Sequence, residues 1–140
     1  MLFLVYVPYC SSDLYSGTAN ASVETEDRVF HGKFIFKAII TDLMANTWLD
    51  QADEVVLVGT SAGAMGVERN CDWMADQLKG TKPNMNIKCI IDSGTLYPMN
   101  TYYDYCFENS IDVSERQAYW EADLDESCMK DSPDPDACTR

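Results

Sequence analysis

The stretch VVLVGTSAGAMGVERNCDWMADQL, residues 55–78, decides how this chain folds. Residues 55–58 are all aliphatic, the composition of a strand buried on both faces. Gly59-Thr60-Ser61-Ala62-Gly63 follows, a G-x-S-x-G pattern. Behind it Met65, Cys71, Met74, Ala75 and Leu78 recur at helical spacing, and a glycine cap is expected near Lys79-Gly80. Strand, tight turn and helix in that order is the context a nucleophile elbow requires. Ser61 is then expected to carry a strained backbone with positive φ and a hydroxyl at the mouth of a pocket. Gly59 and Gly63 leave room where side chains would collide across the turn. The helix N-terminus places positive partial charge beside a developing oxyanion, and the Ala62 N–H would be one donor to it. The plainer alternative is an ordinary strand-to-helix turn with Ser61 near the N-cap.

Two more strands and one more helix are expected around this unit. Residues 2–7, LFLVYV, form an apolar run closed by Pro8 and read as a buried strand. Residues 8–27 read as a loop. Phe36, Ile39, Ile40, Leu43 and Met44 give a helix within about 30–48. Residues 87–91, IKCII, read as a third strand, closed by Asp92-Ser93-Gly94. The order β-α-β-α-β predicts an α/β fold with a three-stranded parallel sheet and the elbow strand at its centre. The three strand ends then place residues 8–17, Ser61 and Asp92 on one rim, where open α/β sheets bind ligands. Asp13 and Asp92 are the rim carboxylates. The chain reads as a single domain over 1–140, well assigned across 2–97 and poorly assigned from 98 to 140. In that tail, 114–124 is a candidate helix and 130–140 a loop or frayed end.

Composition narrows the function. A net charge of −13 argues against nucleic acid and anionic lipid as partners. No apolar run is long enough to span a bilayer. Six cysteines without a CxxC pair, and a single histidine, give no zinc pattern and suit a secreted, disulfide-bearing protein. No metal or cofactor is called for. Asn20-Ala21-Ser22 is an N-glycosylation sequon. The first residues lack the basic start and cleavage site of a signal peptide. The oligomeric state is left open.

A hydrolytic serine needs a base. The sole histidine, His31, precedes Ser61, against the usual order of Ser, acid, His in this kind of fold. Asp92 follows a strand on the same sheet edge and could be a triad acid or a turn residue. The residues alone therefore present a nucleophile without its base.

VPYCSSDLYSG at 7–17, FHGKFIFKAIITDL at 30–43, GTSAGAMGVERNCDWMADQL at 59–78 and IKCIIDSG at 87–94 resemble, in this order, segments of the pectin acetylesterase/Notum family. The resemblance implies a secreted α/β-hydrolase-type carboxylesterase. Its ester substrate would be an acetylated polysaccharide or an acylated protein. It assigns Ser61 as nucleophile and Ala62 as an oxyanion N–H. It also implies that two further oxyanion donors lie upstream of residue 1, and the catalytic Asp and His beyond Arg140. The chain would then be the central piece of a longer enzyme, inactive alone. Ala64 departs from the family, which usually has glycine there. The competing readings are a secreted binding domain that has lost the triad, and a truncated gene product.

Overall fold

The computed structural model describes residues 2–94, 118–133 and 138. Helix α1 spans Gly32–Asn46, strand β1 Glu54–Thr60, helix α2 Ala62–Thr81 and strand β2 Asn86–Asp92. A short helix, α3, spans Glu126–Asp131. The two strands pair in parallel from Glu54↔Asn86 to Thr60↔Asp92. Both strand ends therefore point to one edge of the sheet, as expected.

The alternation within each strand sends Val55, Leu57, Ile87 and Cys89 inward. They meet a core of Phe36 and Ile40 from α1, Met74 and Leu78 from α2, and Met85. Met74 and Leu78 are almost wholly buried, one helical turn apart, so a single stripe of α2 lies on the sheet. Cys71 of α2 is disulfide-bonded to Cys89 of β2, which pins that stripe in place.

Two expectations about strands are corrected. Residues 2–7 form no strand, and Leu2 and Leu4 are more than nine-tenths exposed. The sheet among the described residues has two strands, so β1 has one partner and is not flanked on both sides. The same shortage explains the second difference. Both long helices cover one face, and on the other Val56, Val58 and Ile90 remain about half exposed. An apolar run forms a strand only where a neighbour offers its ladder of N–H and C=O groups. Residues 2–7 meet no such neighbour among the described residues.

Helix α2 also ends differently. It runs through Gly80 to Thr81, and no glycine has positive φ among the described residues. Its C-cap is Lys82, at φ −132°, whose N–H donates to Leu78 O at 2.9 Å. The residue after it is Pro83, and a residue before proline is pushed out of the helical region. Proline stops this helix.

The loop expected at 8–27 is tightly built. Asp13 is fully buried. Its carboxylate accepts from Tyr15 N at 3.1 Å and from Gly32 N, the first residue of α1, at 2.7 Å. The helix has no cap from its own His31, so Asp13 caps it from nineteen positions away. A Cβ on Gly32 would collide with that carboxylate. Asn70 of α2 donates to Tyr15 O at 3.0 Å and to Gly66 O at 2.8 Å. Trp120 Nε1 donates to Ser16 Oγ at 3.2 Å, and Trp120 packs with Ala19 and Phe30. Lys33, also buried, pairs with Asp123 at 3.3 Å. Part of the tail is thereby fastened to the N-terminal loop.

Of the expected tail helix at 114–124, residues 114–117 lie outside the described residues, and helix is present only at 118–119. Within 130–140, Lys130 and Asp131 complete α3 and Cys138 is bonded to Cys128, while 134–137 and 139–140 lie outside the described residues.

Replacing both Cys71 and Cys89 by alanine should lower the unfolding free energy by about 3 kcal/mol, the loop-closure entropy of an 18-residue crosslink. Asp13→Ala strands two buried N–H donors and should cost about 2–5 kcal/mol. Urea melts followed by circular dichroism measure both.

Candidate active site

The parallel ladder ends at Thr60↔Asp92. One residue later the chain must leave the sheet and begin α2. It does so through Ser61, at φ 56° and ψ −120°. That is the positive φ expected there, in a region that costs a non-glycine residue on the order of 1–3 kcal/mol. The turn is held from three sides. Ser61 N donates to Asp92 O at 2.9 Å. Ser61 O accepts from Ala64 N at 3.0 Å and Met65 N at 3.3 Å, opening the helix. Thr60 Oγ1 donates to Asp92 Oδ2 at 3.2 Å.

Gly59 makes the turn possible. A Cβ there would run into the carbonyl of Gly63 and stand 2.8 Å from Ala64 N. Gly63 differs from expectation: a Cβ on it would meet no described atom within 4 Å. Only the first glycine has its space occupied. Ala64, the residue that departs from the family pattern, is completely buried, and a Cβ on Gly94 would strike its methyl. The methyl fills the gap between helix and rim turn.

Ser61 is exposed and carries no side-chain cap to its helix. Its hydroxyl therefore stands free at the sheet edge. Ala62 is the first residue of α2, so its N–H has no acceptor within the helix. An oxyanion forming on an acyl group at Ser61 would have that N–H and the helix N-terminus beside it. Two cavities are lined by residues other than Ser61. One, of about 260 Å³, lies between α2 and the tail, lined by Glu68, Arg69, Asp72, Asp125 and Ser127 among others.

The other candidates fall in different places. Asp92 is exposed at the end of β2, beside Ser61. Its carboxylate accepts from Thr60 and, at 3.0 Å, from Ser93 Oγ. Asp13, expected as an open rim carboxylate, is buried with its carboxylate engaged at the start of α1. Asn20 is exposed, and its Oδ1 accepts from His31 Nε2 at 3.1 Å. His31 also stacks edge-on against Phe34. The one imidazole is thus occupied at the start of α1. Burial raises the pKa of Tyr9 and Tyr15 above the usual phenol value, so both stay protonated at neutral pH. Among the described residues no group of His, Cys, Asp and Glu is arranged to hold a metal. No helix among them is long and apolar enough to cross a membrane.

Asn70 and Lys33 escaped the sequence reading. Both are buried polar residues inside helices, and periodicity counts such residues as exposed. A hint for Asp13 existed: Asp followed by Ser16-Gly17 is turn chemistry that turns a carboxylate towards its own backbone.

Glycine-to-alanine changes separate the two halves of the motif. Gly59→Ala should destabilise by on the order of 3 kcal/mol or more, because backbone occupies the space. Gly63→Ala should stabilise by about 0.5 kcal/mol, as an open helical position gains from alanine. Thermal melts of the two variants should shift in opposite directions.

Residues 3–139 match the profile of the family described as Pectinacetylesterase. The chain is 31% identical over 134 residues to the palmitoleoyl-protein carboxylesterase NOTUM of Homo sapiens, covering 91% of this chain and 27% of that protein. The protein of the same name from Drosophila melanogaster is 33% identical over 135 residues, covering 92% and 20%. In Schmidtea mediterranea it is 41% identical over 90 residues, covering 64% and 17%. The chain therefore spans about a quarter or less of these relatives' length. The solved structure of the Wnt deacylase Notum from Drosophila superposes with a TM-score of 0.70 at 29% identity, over 95% of this chain and 40% of that one.

Proposed function

The chain belongs to the pectinacetylesterase family, and from that premise we propose that it carries the nucleophile of a serine carboxylesterase. Ser61 is the nucleophile and Ala62 N–H an oxyanion donor. The observation that carries this reading is the backbone of Ser61, φ 56° and ψ −120°, between a parallel strand and a helix, with the side chain exposed. Ser12 and Ser93 share the positive φ, but among the described residues Ser61 alone of the three joins a strand to a helix, where a nucleophile gains an unhindered hydroxyl at a helix N-terminus.

The reaction is acyl transfer. A general base takes the Ser61 proton as Oγ attacks the ester carbonyl. The tetrahedral oxyanion is met by Ala62 N–H. The alcohol leaves, and water releases the acid from Ser61 in a second, matching step. The substrate is an O-acyl ester of a polysaccharide or of a protein, met outside the cell. His31 is bonded to Asn20 at the start of α1, so the base we propose is supplied from outside the described residues. The catalytic acid comes from there too. Asp92 supports the turn through Thr60 and Ser93.

Without its base the 140-residue chain should hydrolyse p-nitrophenyl acetate at close to background. A missing general base costs about 10²–10⁴-fold, and a missing oxyanion donor about 10²–10³-fold. Grafted in place of the matching segment of the human relative, the same residues should restore turnover, and Ser61→Ala should abolish it. A graft that folds by circular dichroism yet shows no Ser61-dependent turnover overturns the assignment. Robust Ser61-dependent turnover by the short chain would show that it holds its own base.

A further inference from the structure

We propose that Asn20 is an N-glycosylation site, modified by an oligosaccharide from a polyprenyl-pyrophosphate donor. The proposal rests on the extracellular placement given above. Asn20-Ala21-Ser22 is the only Asn-X-Ser/Thr in the 140 residues, and neither position 21 nor position 23 is proline. Oligosaccharide transfer reads this tripeptide as the unfolded chain enters the secretory lumen. What the folded chain decides is whether the sugar can then be carried.

Asn20 stands where it can. Ala19, just before it, is 1% exposed and packs with Phe30 and Trp120. Phe30 N donates to Ala19 O at 2.9 Å and closes the neck of a loop. Asn20 is the first residue outside that neck, and it is exposed. The loop beyond is held by Thr25, whose Oγ1 donates to Arg28 O at 2.7 Å and accepts from Ser22 N at 2.9 Å. It keeps its shape without help from the Asn20 amide nitrogen.

The two ends of the amide are also separated. Oδ1 accepts from His31 Nε2 and is held against the protein. Nδ2, the atom that takes the sugar, has no partner among the described residues. In the transfer, Nδ2 forms a bond to C1 of the first sugar as the C1–O bond to pyrophosphate breaks. The amide loses one proton, and the polyprenyl pyrophosphate leaves. Oδ1 is still an acceptor afterwards, so the His31 contact and the edge-on packing of His31 on Phe34 survive the modification. The sole histidine thereby acquires a role unconnected with Ser61: it fixes the stem of a glycan.

The full 140-residue chain, preceded by a cleavable signal sequence, is translated with endoplasmic reticulum microsomes. Protease protection reports entry into the lumen independently of glycosylation. The protected chain should migrate with the added mass of one oligosaccharide, removed by peptide-N-glycosidase with Asp appearing at position 20. Ser22→Thr should keep the shift, and Asn20→Gln and Ser22→Ala should each lose it. A protected wild-type chain without the shift overturns the proposal, as does a shift that survives Asn20→Gln. Neither result depends on whether Ser61 is a nucleophile. Secretion is read separately, from where the natural polypeptide accumulates in its own cells.

Discussion

The hydrogen bond from Ser61 N to Asp92 O carries the ladder one step past the end of β1, and the site depends on it. It fixes the last peptide of the strand against β2 at the point where the chain must reverse its backbone angles. With that amide held, Ser61 can occupy φ 56° and still direct its carbonyl into the first turn of α2. The bond exists only because β1 and β2 run parallel and in register to their ends. Gly59 lets the helix come close enough to close the turn, because its missing side chain leaves space for the carbonyl of Gly63.

The elbow would be poorly fixed without a rigid helix behind it. Helix α2 is held at three depths. Near its start, Gly66 and Asn70 engage the loop around Tyr15. At Cys71 it is crosslinked to β2. Further along, Met74 and Leu78 fill the core against the sheet. These attachments differ in kind: a buried polar contact, a covalent bond and apolar packing. Each opposes a different displacement of the helix, so the strain at Ser61 is opposed by more than the turn itself. Asp13 plays the matching part for α1, placing a carboxylate at the N-terminal end of a helix that lacks its own cap.

The site is one-sided. The Ser61 hydroxyl and the first N–H of α2 lie together at the sheet edge, while the imidazole bonds Asn20 at the start of α1. One sheet face is likewise covered and the other left with Val56, Val58 and Ile90 exposed. Both facts have one geometric origin. A parallel sheet needs layers on each face and neighbours on each edge, and the described residues supply one layer and one neighbour.

The sequence by itself determined the elements whose signals are local. Helical spacing at Phe36–Met44 and Met65–Leu78 set the two helices, and G-x-S-x-G between strand and helix set the turn and the sign of φ at Ser61. Each of these depends on neighbours a few residues away, so a linear reading suffices. Tertiary structure alone decided what depends on distant partners. Residues 2–7 are as apolar as any strand, yet form none, because a strand needs an edge to bond to and composition does not supply one. Asp13 read as a rim carboxylate, yet it caps a helix nineteen residues on, because a buried carboxylate is stable only where N–H groups converge and that convergence is a property of the fold. Gly80 read as a stop and Pro83 was the stop, because a glycine permits a turn whereas a proline forbids the helix before it.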